Sequence, residues 1–167
     1  MLRSTRYRKR WTLLLTLCLL LAWFTPLGAQ AGGPGGDVAI VVHQDVPIDN
    51  LTLNELRRLL LGDREFWPAS VRVTLLIRAP IAHERDVVLK NVCQMTEAQF
   101  RQHWIGKVFR AETALAPKIA YSTEMAVDLV NRIPGAITFM DASQVGKGLK
   151  VVRIEGRLPG EKGYELH

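Results

Sequence analysis

Apolar positions along this chain fall into two rhythms. Val38 to His43 (V-A-I-V-V-H) is an unbroken apolar run of strand length. Its β-branched content predicts a strand buried on both faces, as in a parallel sheet. Val71 to Ile77 (V-R-V-T-L-L-I) reads as a second strand, Lys118 to Tyr121 as a short one, Ala136 to Met140 as another buried strand and Leu149 to Ile154 as the last. Between them the rhythm changes to three and four. Leu53, Leu56 and Leu60 share one helical face, Val88 and Val92 with Leu89 and Ile81 a second, Phe100, Trp104 and Val108 with Ile105 a third, and Met125, Leu129 and Ile133 a fourth. The predicted order is β-α-β-α-α-β-α-β-β, an α/β sheet with helices on both faces.

Helix boundaries are written in the polar residues. Thr52 with Glu55, and Thr96 with Gln99, have capping-box spacing, in which hydroxyl and carboxyl or amide satisfy two free backbone N–H groups reciprocally. Ser122 is placed to cap the fourth helix, and Pro80 suits the first turn of the second, where its missing N–H costs nothing. Gly62 suits a left-handed stop after the first helix. Trp67, held extended by Pro68, is expected to pin its loop onto the core. His103 reads as a half-buried spacer, and Arg57 as a stem lying along an apolar edge. Arg85 interrupts an apolar stripe, so it either snorkels to the surface or meets a charge.

Composition changes the picture at the N-terminus. Arg3, Arg6, Arg8, Lys9 and Arg10 precede the 14-residue apolar run Trp11 to Phe24, and Ala29-Gln30-Ala31 follows. These are the three parts of a secretory signal peptide, 1–31, with cleavage expected after Ala31. A retained membrane anchor is the alternative, although the run is short of the ~20 residues a spanning helix needs. Residues 32–36 (G-G-P-G-G) read as a flexible linker, 37–155 as the folded domain and 156–167, with three glycines and no period, as a loose tail. The chain carries 22 Lys and Arg against 16 Asp and Glu. Five of the basic residues belong to the leader, which leaves 17 against 16 and no basic footprint for a nucleic-acid partner. Cys93 is then the one remaining cysteine, unable to form an internal disulfide. No metal-ligand spacing, cofactor motif, nucleophile elbow or catalytic triad spacing appears, so no metal, no cofactor and no enzyme activity is expected.

Three stretches carry a family resemblance. L-x-L-N-E-L-R-R-L-L-L-G-x-x-x-x-W-P (51–68) resembles the L-T-x-x-Q-L-x-x-I-F-x-G-x-x-x-x-W segment of phosphate-type solute-binding proteins of ABC transporters. M-T-E-A-Q-F-R-Q-H-W-I-G-K-V-F (95–109) is similar to a segment of the short members, and P-G-A-I-T-F-M (134–140) to the family's P-G-A-I-G-Y-V strand. The resemblance spans about residues 38 to 154. It implies a single-lobe periplasmic-binding-protein-like (type II) domain with a mixed, mostly parallel sheet, exported to the periplasm. Full-length members close two lobes on their ligand, and this chain matches one. Where the family has R-x-D-G-S-G-T, this chain has Arg78-Ala79-Pro80-Ile81-Ala82-His83-Glu84. The arginine persists, Ala82, His83 and Glu84 stand at the serine, second glycine and threonine positions, and two hydroxyl donors are gone. The candidate ligand residues are therefore Arg78, Ala82, His83 and Arg85, and the implied ligand is a small phosphate-like oxyanion, weakly held. The implied partners are a membrane transporter or another envelope protein, and a homodimer would complete the cleft that one lobe leaves open. The alternative function is an envelope interaction module with no small ligand.

Overall fold

The computed structural model describes residues 36–113 and 115–167. The expected signal peptide, and the expected linker up to residue 35, lie outside the described residues.

One sheet of six strands organises the chain, in the order β2-β6-β1-β5-β3-β4. In chain order these are β1 (Val38–Val42), β2 (Asn50–Leu51), β3 (Thr74–Arg78), β4 (Lys118–Ala120), β5 (Ala136–Asp141) and β6 (Lys150–Ile154). The helices are α1 (Leu53–Leu60), α2 (His83–Val88, continued by a wide turn over Leu89–Cys93), α3 (Glu97–Phe109) and α4 (Thr123–Arg132). Two-residue β2 carries too few apolar positions to announce itself in the pattern.

The expected α/β fold with helices on both faces is present, with one correction. β1 is fully buried, but it runs antiparallel to both neighbours, β5 and β6, while the other five strands share one direction. Burial on both faces produces the continuous apolar run whichever way the neighbours point. Alternation along the strands separates two cores. Val38, Ile40, Val42, Leu75, Ile77, Ile137 and Phe139 face α1, α2 and α3. Ala39, Val41, Leu76, Ala120, Ala136 and Met140 face α4 through Ala126 and Val130.

Both capping boxes form in full, and Ser122 accepts from the Met125 amide. Gly62 has φ +71°, and Trp104 packs where a Cβ would stand, so this stop takes no other residue without strain. Trp67 is buried and its indole N–H donates to the Gly135 carbonyl at 2.9 Å, which ties the exit of α1 to the start of β5.

Three expectations need correcting. α2 begins at His83 and not at Pro80, which lies in the preceding turn and leaves Ile81 outside the helix and 96% exposed. α3 buries Phe100, Trp104 and the stem of Lys107, so Ile105 and Val108 turn outward together with Phe109. The C-terminal tail is fastened: Val38 donates to the Leu166 carbonyl, the Tyr164 hydroxyl donates to the Val38 carbonyl, both at 2.7 Å, and Leu166 is fully buried.

Candidate functional site

The four candidate residues lie at the end of β3 and the start of α2, and they do not converge. The side chain of Arg78 leaves the sheet on the side of α4. One terminal nitrogen, Nη2, donates to the Thr123 hydroxyl at 3.3 Å, and that hydroxyl donates on to the Gln144 side-chain oxygen at 2.5 Å. Its Nε lies 3.8 Å from a Glu84 carboxylate oxygen. Nε and Nη1 are buried without a hydrogen-bond partner. A guanidinium stripped of water on two of its nitrogens is costly, and such a group calls for an acceptor.

Arg85 turns to the other face. Nε and Nη2 form a paired contact with both oxygens of Glu97, each at 2.7 Å, and Nη1 donates to the Arg78 carbonyl at 2.6 Å. Its plane also lies over the Phe100 ring. The fork geometry is filled, so Arg85 joins α2, α3 and the end of β3, with each of its three nitrogens already engaged. His83 is exposed on the first turn of α2, and Ala82 caps that turn without a side-chain hydrogen bond.

Thr123, Gln144 and Glu84 are the neighbours of Arg78 that sequence reasoning did not select. Thr123 and Gln144 are 45 and 66 positions from Arg78, and no local pattern connects them. The one available signal was Ser122, whose cap fixes where α4 begins and so where the next hydroxyl stands. Glu124, exposed on the same turn, has its carboxyl held below the usual carboxylate range, first by a hydrogen bond from Ser122 and least by the charge of Arg78.

His103 and Cys93 play structural parts. A ring nitrogen of His103 pairs with the Leu61 carbonyl at 2.9 Å. Burial pushes the Cys93 thiol up to about 12, so it is no nucleophile at neutral pH. Among the described residues no group of His, Cys, Asp and Glu could hold a metal ion, and no helix is long and apolar enough to cross a membrane.

The roomy grooves, of about 530, 470 and 390 Å³, are lined by neither Arg78, Ala82 nor His83. The largest is an apolar trough between α3 and β4. The arrangement at Arg78 is thus a single buried cation with one hydroxyl partner and a carboxylate already beside it. It can take an acceptor oxygen, and it lacks the enclosure of a tight site.

No protein-family model matches this sequence. Solved structures match it in fold. A phosphate ABC transporter substrate-binding protein with bound phosphate from Clostridium perfringens is 18% identical, with a TM-score of 0.58 over 72% of this chain and 46% of that one. An ABC-type phosphate transport receptor from Vibrio cholerae is 22% identical, with a TM-score of 0.60 over 74% and 48%. PstS from Borrelia burgdorferi is 13% identical, with a TM-score of 0.62 over 78% and 54%. This chain therefore has the fold of one portion of such binding proteins and spans about half their length.

Proposed function

We propose that this chain is an exported, non-catalytic solute-binding-type protein, released to the periplasm by cleavage after Ala31, that binds a small oxyanion such as phosphate weakly at Arg78. The observation that carries the reading is the guanidinium of Arg78, buried with Nε and Nη1 unpartnered and with the Thr123 hydroxyl alongside. An oxyanion brings acceptors to the two unpartnered guanidinium nitrogens. The phosphate-binding structures of like fold support this class of ligand. Their longer chains and the hydroxyls missing at Ala82 and Glu84 argue for low affinity here. Each lost hydrogen bond to a charged group costs about 1.5–3 kcal/mol, and two together weaken binding by roughly a hundredfold or more.

Calorimetry of the exported chain with phosphate and with sulfate tests the reading. Weak saturable heat is expected, abolished by Arg78→Met and reduced by Thr123→Val, a substitution that preserves shape. Absence of both heat and thermal shift at millimolar anion would overturn it.

A second reading is favoured by one contact. Glu84 places a carboxylate 3.8 Å from Arg78 Nε, where an incoming anion would be repelled. On this reading the domain is an envelope interaction module, serving a transporter or another envelope protein, without a small ligand. A stable complex recovered from the envelope, together with silent calorimetry, would favour it over the first.

A further inference from the structure

Among the described residues, a run of exposed apolar side chains lies away from Arg78. α3 turns Ile105, Val108 and Phe109 outward, at 54%, 47% and 90% exposure, and Leu115 and Ile119 lie exposed nearby. Beside them runs the trough of about 530 Å³, with Ile77, Phe100, Trp104 and Ile119 in its lining. The trough is bounded by β4, which pairs with β3 on one side and ends the sheet on the other. An apolar patch of this kind next to an unpaired strand edge marks an interaction surface. We propose that a second copy of this chain covers it, through an antiparallel β4–β4 contact about a two-fold axis centred on Ile119.

Three observations select a second copy. The first is the edge itself. The Ala120 carbonyl faces β3, where it accepts from the Ala79 amide at 3.1 Å. Backbone groups alternate along a strand, so the N–H and C=O of Ile119 face outward. One outward residue at the centre of a three-residue strand is self-complementary: Ile119 of each copy donates to and accepts from Ile119 of the other. An unrelated extended peptide would find a short edge, since Pro117, without an N–H, precedes the strand and the Ser122 cap follows it.

The second is side-chain register. Ile119 aligns with Ile77, whose face is that of α3, while Lys118 and Ala120 align with Leu76 and Arg78 on the face of α4. Residues directly opposite in an antiparallel pair project from the same face. The two Ile119 side chains therefore meet on the trough side, and each Lys118 lies opposite an alanine and not another lysine. The two troughs then lie side by side on one face of the joined sheet, with Val108 and Phe109 exposed along each.

The third is exposure. Ile105, Val108, Phe109 and Ile119 all line the same trough and all leave apolar surface open to solvent, Phe109 most of it.

This inference does not rest on anion binding, and its test uses none. The exported chain is weighed by sedimentation equilibrium in phosphate-free buffer. A dimer is expected, and Phe109→Glu and Ile119→Lys should each yield a monomer with unchanged circular dichroism, because both residues are exposed in the single chain. Ile119→Cys should form an intermolecular disulfide under mild oxidation, with the buried Cys93 not competing. A wild-type monomer at high micromolar concentration would overturn the proposal, as would a dimer that survives both charged substitutions. A monomer that takes up an apolar peptide or dye in the trough would also overturn it, by assigning the surface to a different occupant.

Discussion

Arg78 and Arg85 are seven positions apart and meet opposite fates. Arg85 looked anomalous because it broke an apolar stripe, and the anomaly is resolved by Glu97, twelve residues on, whose two oxygens match the guanidinium fork. Arg78 stood out only through the family's ligand motif, and it is the one left with buried, unpartnered nitrogens. At this scale Cys93 makes a separate prediction. Its thiol is pushed up to about 12 by burial, whereas in an unfolded chain it titrates near ~8.5. Below that range it is protonated in both states and its contribution to stability is fully present. As pH rises from about 9 towards 12 only the unfolded chain ionises, so stability falls by up to ~1.4 kcal/mol per pH unit. Tyr164, also raised by burial, acts in the same direction at still higher pH. Urea unfolding at about pH 8 and about pH 11 checks this, with Cys93→Ala expected to flatten part of the decline. An unaltered slope in that variant would remove Cys93 as the source.

Elements were legible where a local rule sets them. Thr52, Thr96 and Ser122 fixed three helix starts, because a cap needs only its next three residues. Illegible were features set by partners distant in sequence. The direction of β1 depends on β5 and β6, and the outward turn of Ile105 and Val108 depends on how Phe100 and Trp104 find the core. The Arg78 neighbourhood belongs to the same class, since Thr123 and Gln144 arrive from α4 and the turn after β5. The join between α4 and β5 combines both kinds. Pro134-Gly135 announces a turn, but only the fold explains why the glycine is required. Gly135 has φ +75°, a Cβ there would stand 2.1 Å from the Arg72 carbonyl oxygen, and the Gly135 carbonyl accepts the Trp67 indole N–H. Gly135→Ala combines a left-handed strain with a backbone clash, so a loss of about 3 kcal/mol or more is expected in chemical denaturation. A cost below about 1 kcal/mol, the ordinary range for an unstrained site, would show that the turn relaxes without disturbing Trp67.

For the molecule as a whole, the C-terminus decides where the domain ends. Residues 156–167 lack helical or strand rhythm, and by composition they belong to a loose tail. The buried positions are two, Tyr164 and Leu166, and a two-residue signal is too short to register as a period. Those two residues close the sheet at β1: Leu166 supplies the carbonyl that Val38 needs, Tyr164 binds the Val38 carbonyl, and Asn91, in the wide turn after α2, donates to the carbonyls of Glu165 and His167. The folded unit therefore extends at least to Leu166. Burying one leucine side chain stabilises by about 1.5–3 kcal/mol, and Leu166→Ala, which leaves a cavity as well, should cost about 2–5 kcal/mol. Deleting 164–167 removes the leucine, the tyrosine and the partners of Val38 together. The loss then approaches the whole ~5–15 kcal/mol of an ordinary domain, and the truncated chain should be largely unfolded by circular dichroism at room temperature. Deleting only His167, whose side chain is exposed, should shift the urea midpoint little. A truncated chain that melts at the wild-type midpoint would return the tail to the role its composition suggests.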